Sequence, residues 1–136
     1  MKTIILSLMA MAATVSAYGQ NNKTLVVYYS RSGNTEAVAK YIQSFTNADI
    51  FKVETLKAYP EDYRATTDTA KEELSNNARP EIKGAVENID QYETVFVGFP
   101  IWWGTYPMGV ATFLDSYNLD GKTVIPFCTH EGSRQG

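Results

Sequence analysis

The hydrophobic and polar positions of this chain alternate between short apolar runs and helical patterns, joined by polar turns. Residues 25–29 (L-V-V-Y-Y) are aliphatic, β-branched or aromatic without a break. That run is too short and too uniform for an amphipathic helix and fits a strand buried on both faces. A polar turn follows at residues 30–35 (S-R-S-G-N-T), and a helical pattern opens at Thr35. Val38, Ile42 and Phe45, with Tyr41 beside them, are expected to line one side of this helix, while Ala37 and Ala39 keep neighbouring turns slim. Asn47 is its expected end. Residues 49–54 (D-I-F-K-V-E) resume as a strand whose polar content suits an edge position. Strand, helix and strand in this order make a right-handed parallel crossover.

Most of the charge lies in residues 55–92. A turn at residues 59–63 (Y-P-E-D-Y) leads into a helix from Asp62 to about Asn76, poor in large apolar residues and so expected to lie over the domain. Asn76, Asn77, Arg79 and Pro80 break it. Ile82, Val86 and Ile89 have helical spacing and predict a short helical patch before Asp90. This charge-rich stretch reads as a solvated face, with no chemistry assigned to Asp62, Glu72 or Glu73. Residues 94–99 (T-V-F-V-G-F) form another continuously apolar strand. It runs into P-I-W-W-G-T-Y-P at residues 100–107, which holds both tryptophans of the protein. Pro107 sits where a helix can begin, and Met108, Ala111, Phe113, Leu114 and Tyr117 supply its apolar residues. Asp120 and Gly121 turn into a fourth strand over residues 122–127, followed by C-T-H-E-G-S.

Open parallel sheets bind ligands outside the carboxyl ends of their strands, where the winding reverses. Three loops gather there: 30–35, 100–106 and 128–133. The first joins a strand to a helix start, where unpaired backbone N–H groups favour an anion. Ser30, Ser32, Asn34 and Thr35 surround Gly33 with hydroxyl and amide groups. Neither G-x-x-x-x-G-K-[ST] nor G-x-G-x-x-G is present, so neither a nucleoside-triphosphate nor a dinucleotide loop is indicated. Two readings stay open on spacing alone: a cradle for a terminal phosphomonoester, or an ordinary turn whose Ser and Asn cap the helix. The adjacent tryptophans bring an aromatic element to the same rim. Neighbouring loop residues rarely face the same way, so at most one should meet a ligand ring. Trp103, directly before Gly104, is the expected one, and Trp102 the one that turns inward.

The N-terminus begins with Met1-Lys2 and an apolar run, and Val15-Ser16-Ala17 has the small residues of an export cleavage site. Residues 1–17 therefore read as a signal peptide, with an apolar core too short for a good membrane span. Residues 18–23 are a polar leader. The expected product is exported, periplasmic or secreted, with no stable membrane span after cleavage. The chain carries 12 Lys and Arg against 15 Asp and Glu. Cleavage would remove Lys2 alone and leave a net charge of −4, spread without blocks. That balance disfavours nucleic acid, which needs a positive stripe. One cysteine and one histidine exclude an intrachain disulfide and give no support for a zinc site. Cys128 and His130 make a poor catalytic pair, because alternate positions do not align a thiol with its base.

The pattern Val26-Val27-Tyr28-x-Ser30-x-x-Gly33-x-Thr35-x-x-x-Ala39-x-x-Ile42 resembles the flavodoxin signature at every defined position. F-V-G-F-P-I-W-W-G-T-Y-P and V-I-P-F-C-T-H-E-G-S are similar to stretches of small bacterial flavodoxin-like proteins. The resemblance implies an α/β fold: an open parallel sheet with helices on both faces. It also implies non-covalent FMN, with Ser30, Arg31, Ser32, Gly33, Asn34 and Thr35 around the phosphate. Pro100, Ile101, Trp102, Trp103, Gly104 and Thr105 would flank the flavin ring. Cys128, Thr129, His130 and Gly132 would close its other side. Flavodoxins have strand order 2-1-3-4-5 and a last covering helix. Here the expected order is 2-1-3-4, with the fifth strand and last helix missing, so residues 24–136 are expected to form an incomplete domain whose hold on FMN is weakened. The implied role is electron transfer to a redox partner protein or small acceptor. The alternatives are an FMN-dependent quinone reductase using a reduced nicotinamide, and a cofactorless flavodoxin-shaped binding module.

Overall fold

In a computed structural model, residues 23–130 are described, and the predicted signal peptide, most of the polar leader and Gly132 lie outside them. The chain runs β1 (Lys23–Tyr28), α1 (Asn34–Thr46), β2 (Asp49–Lys52), α2 (Tyr63–Ser75), a 3-10 turn (Ile89–Gln91), β3 (Tyr92–Pro100), α3 (Met108–Ser116) and β4 (Thr123–Thr129). The four strands form one sheet in the order β2-β1-β3-β4, all parallel. This is the expected order, with β2 at an edge. Its register aligns Val27 with Phe51 and Val97, and Val97 with Pro126.

Because side chains alternate along a strand, β1 and β3 send two sets of residues to opposite faces. Leu25, Val27, Tyr29, Val95 and Val97 meet Val110 and Phe113 of α3, with Val53 and Tyr92 completing the buried cluster. Val26 and Tyr28 face α1, where Ala39 and Ala48 are buried and Ile42, Ile50, Phe96 and Phe127 pack around them. Gly98 belongs to this second face. The Phe127 ring lies directly over its Cα, so that a Cβ there would fall inside the ring.

Two sequence expectations change. The patch at Ile82, Val86 and Ile89 is not a helix before Ile89. Gly84 and Asn88 both take positive φ, which a right-handed helix cannot absorb. Instead Leu56 N–H donates to Glu81 O and Lys83 N–H to Glu54 O, and the three apolar side chains pack on the α3 face all the same. On α1, the side that meets the sheet is Thr35, Ala39 and Ile42, whereas Val38, Tyr41 and Phe45 are exposed.

Candidate functional site

The carboxyl ends of β1, β3 and β4 open on one cavity, lined by Arg31, Ser32, Asn34, Thr35, Tyr63, Pro100, Ile101, Trp102, Thr129 and His130. All three loops singled out in the sequence contribute to it. Its polar end is the start of α1. Gly33 takes φ 96°, a left-handed value that suits glycine, and no side chain caps the helix there. The Ser30 hydroxyl instead accepts a hydrogen bond from Gly33 N–H at 3.1 Å, which fixes the turn. The first N–H groups of α1 are left for a ligand, with the positive end of the helix dipole behind them. The plain capping role that Ser and Asn could have filled is thus not the one they take.

Thr35 is buried, and its hydroxyl lies 2.8 Å from that of Thr129 at the end of β4. This bond crosses from the first loop to the last and ties the two walls together. Arg31 is the one Lys or Arg in the lining. Its guanidinium donates to Glu61 O at 3.0 Å and sits 5.5 Å above the Tyr63 ring, so the charge is braced at the cavity edge. Glu36, the acidic residue of the first helical turn, is directed away from the site. Its carboxylate pairs with Lys40 at 3.2 Å, and that hydrogen bond and charge hold its carboxyl below the usual range. Tyr63 was not legible as a site residue, because nothing in its spacing marks the first residue of a polar helix as a cavity wall.

The aromatic end differs from expectation. Residues 102–105 form a tight turn: Trp102 N–H donates to Thr105 O at 2.8 Å, and Thr105 N–H to Trp102 O at 3.2 Å. Its two central residues, Trp103 and Gly104, have φ 53° and 80°, the pattern of a type I′ turn. A tryptophan in the left-handed region costs roughly 1–2 kcal/mol and needs an anchor. Trp103 finds it outside the cavity, where its Nε1–H donates to Thr67 O of α2 at 2.9 Å and Lys71 Nζ stands 5.1 Å from its ring. Trp102 is the tryptophan in the cavity wall. Its ring meets Tyr29 and Tyr59 edge-on, with centroids at 5.2 and 5.3 Å. Gly104, Thr105 and Cys128 line a separate, more apolar cavity with Phe99, Ile101, Pro126 and Phe127. Cys128 is half-buried and His130 exposed at the rim.

The family model described as flavodoxin matches residues 23–136. The chain belongs to the flavodoxin family. No curated protein matches it, but solved structures of proteins described as flavoproteins do. A Bacteroides eggerthii protein assigned as a flavoprotein is 35% identical, with TM-score 0.76, over 83% of this chain and 74% of that one. A Bacteroides uniformis protein assigned likewise is 32% identical, with TM-score 0.76, over 83% and 75%. A Lactobacillus acidophilus flavoprotein in complex with FMN is 28% identical, with TM-score 0.74, over 82% and 77%.

The residues present fit the phosphate-bearing group that flavodoxin membership implies. An uncapped helix start, a left-handed glycine and a buried hydroxyl converge on one cavity whose far wall is aromatic. Among the described residues no His, Cys, Asp or Glu cluster comes together to hold a metal ion, and no helix is long and apolar enough to cross a membrane.

Proposed function

We propose that this flavodoxin-family chain binds FMN non-covalently in the cavity at the carboxyl ends of β1, β3 and β4 and passes electrons to a redox partner protein or a small acceptor. The observation that carries this reading is the uncapped start of α1 beside the buried Thr35, whose hydroxyl is hydrogen-bonded to that of the half-buried Thr129. Such a site suits a phosphomonoester held by hydroxyl and amide donors. Ser32, Asn34 and Thr35 bind the phosphate, with Arg31 at its edge. Trp102 and Ile101 give the ring an apolar wall, and Thr129 and His130 close the opposite side. Bound FMN would supply the redox chemistry, while the chain binds it, orients it and keeps water from one of its faces. Export of the protein, read from residues 1–17, would restrict its partners to envelope or extracellular molecules.

Thr35→Ala tests the reading. Loss of a hydrogen bond to a charged group costs roughly 1.5–3 kcal/mol, which lowers FMN affinity about tenfold to a hundredfold. Riboflavin, which lacks the phosphate, should lose far less. Titration of both ligands into both proteins, followed by visible absorbance, checks this. Equal losses for FMN and riboflavin would mean that Thr35 acts through the fold and not through a phosphate.

A further inference from the structure

The described α-helices contain six threonines, and five of them turn back on their own helix. Thr46, Thr66, Thr67, Thr69 and Thr112 each donate a hydrogen bond to a carbonyl three or four residues earlier. Such back-bonding is the ordinary resting place of a helical threonine hydroxyl. Thr35 is the exception. It is buried, yet its hydroxyl lies 2.8 Å from that of Thr129, 94 residues along the chain. Thr129 is itself fixed, because its carbonyl accepts from Ile101 N–H at 3.0 Å. Its side chain thus joins the last cavity loop to the first, while its backbone joins the last to the middle one. Both threonines line the cavity.

We propose that Thr129 is a positioning residue for the phosphate end of the site: its hydroxyl donates to Thr35 Oγ1 and leaves the one Thr35 hydroxyl proton for the phosphate. This inference rests on the FMN reading above and gives Thr129 a part that its place beside the ring does not. A threonine hydroxyl has one proton to donate and two lone pairs with which to accept. Between Thr35 and Thr129 either oxygen can be the donor, so the pair alone has no fixed direction. A phosphomonoester above its second ionisation, at about pH 6, presents only acceptors. Thr35 can meet it only as a donor. The bond to Thr129 then survives in one direction alone, with Thr129 donating. In that direction it strengthens the outer bond, since a hydroxyl that accepts a hydrogen bond is a better donor. It also holds Thr35 away from the back-bonded arrangement that the other helical threonines adopt. A neutral hydroxyl, which riboflavin carries where FMN carries phosphate, can accept or donate and gains little from a fixed direction. The Thr129 hydroxyl thereby favours a phosphate ester over an alcohol while acting only through Thr35.

Titration of FMN and of riboflavin into variants of the full chain, followed by visible absorbance, tests this. Thr129→Val, nearly the same shape without a hydroxyl, should lower FMN affinity about threefold to tenfold, the reach of one ordinary hydrogen bond. Riboflavin affinity should stay within about twofold. Thr129→Ser, which keeps the donor, should bind FMN as the wild type does. In a Thr35→Ala background, Thr129→Val should cause no further loss, because the group it acts through is gone. Circular dichroism and melting establish that each variant is folded, and Thr129→Ala takes the place of Thr129→Val if the valine is not accommodated. An unchanged FMN affinity in Thr129→Val would overturn the proposal. Equal losses for FMN and riboflavin, or a further loss in the Thr35→Ala background, would overturn it too and place Thr129 at the ring or in the fold. In each of these cases the wild type still binds FMN. A wild type that binds no FMN is a different result, and it removes the FMN reading and this inference together.

Discussion

The two faces of the sheet are built to different standards. On the α3 face, Phe113 and Val110 of the helix interlock with Leu25, Val27, Val95 and Val97, and residues from the long 53–62 and 80–91 segments fill the margins. On the α1 face the helix approaches through Thr35 and Ala39, two small residues, and only Val26, Tyr28, Ala39 and Ala48 are buried as a cluster. Val38, Tyr41 and Phe45 of the same helix remain exposed, as does Ile125 of β4. Helical spacing puts Val38, Tyr41 and Phe45 on the flank of α1 away from β2, because Glu36 and Gln43 on the other flank reach Tyr28 and Ala48. The comparison separates two jobs. The α3 face holds the domain together. The α1 face brings a helix terminus close to the sheet so that Thr35 can reach Thr129, and small residues at 35 and 39 allow that approach.

If this division is right, truncating the α3 face should be the most damaging change. Phe113 is fully buried, with its ring centroid 5.8 Å from that of Phe51 and 4.7 Å from that of Tyr117. Phe113→Ala should destabilise the fold by roughly 3–5 kcal/mol, through lost burial and a cavity that the packed sheet cannot close. Urea unfolding followed by circular dichroism measures it. A cost under about 1 kcal/mol would place the main core elsewhere, since ordinary surface substitutions have effects no larger than this.

Tyr92 probes the margin of the same face. Its hydroxyl donates to Asp49 at 2.6 Å across the sheet, and its phenol is pushed up to about 12, by burial first and the Asp49 hydrogen bond next. The folded state therefore holds the phenolic proton more tightly than the unfolded chain, whose tyrosines ionise near 10. This contribution to stability is complete below pH 10 and disappears as pH rises through about 12. Tyr92→Phe should cost about 1.5 kcal/mol at neutral pH, the low end for a hydrogen bond to a charged group because Asp49 is exposed. It should also flatten part of the alkaline fall. Unfolding curves of both proteins from pH 8 to pH 12 test the sign, and a mutant with an unchanged alkaline slope would rule Tyr92 out as its source.

The same comparison explains what was legible in the sequence. The continuously apolar runs at β1 and β3 gave those strands, because burial on both faces leaves few residue choices, and the polar D-I-F-K-V-E gave the edge. The side of α1 that meets the sheet was not legible from hydrophobicity. Its strongest apolar stripe is exposed, and the contact is made by residues chosen for size. Those small residues appear instead in the resemblance, as the Thr35 and Ala39 of the signature. At Ile82, Val86 and Ile89 helical spacing was real but the backbone was not helical, since Gly84 and Asn88 turn left-handed. The three cavity loops were readable because polar and aromatic residues crowd the strand ends. The directions of Trp102 and Trp103 were not, because they depend on a turn with two positive φ values and an anchor on a distant helix. Tyr63 reaches the cavity from α2, which no local pattern could reveal.

The smallest expected effect is the sharpest check on the comparison. Phe45 is 73% exposed, and the one aromatic ring it meets among the described residues is that of Tyr41, edge-on at 4.8 Å between centroids. Phe45→Ala should therefore shift stability by no more than about 0.5 kcal/mol, although the same substitution at Phe113 removes the same atoms. Helix propensity works slightly in the mutant's favour, since alanine is the better helix former. Chemical unfolding of the two alanine variants side by side, at two protein concentrations, measures the contrast directly. A loss at Phe45 of roughly 3 kcal/mol, the range seen when a buried ring is removed, would mean that this flank of α1 is covered in solution. Concentration dependence of that loss would identify the cover as a second copy of the chain, because association stabilises by mass action. A negligible loss at both concentrations leaves the α1 face as the thin one, held to the sheet through Thr35, Ala39 and Ile42.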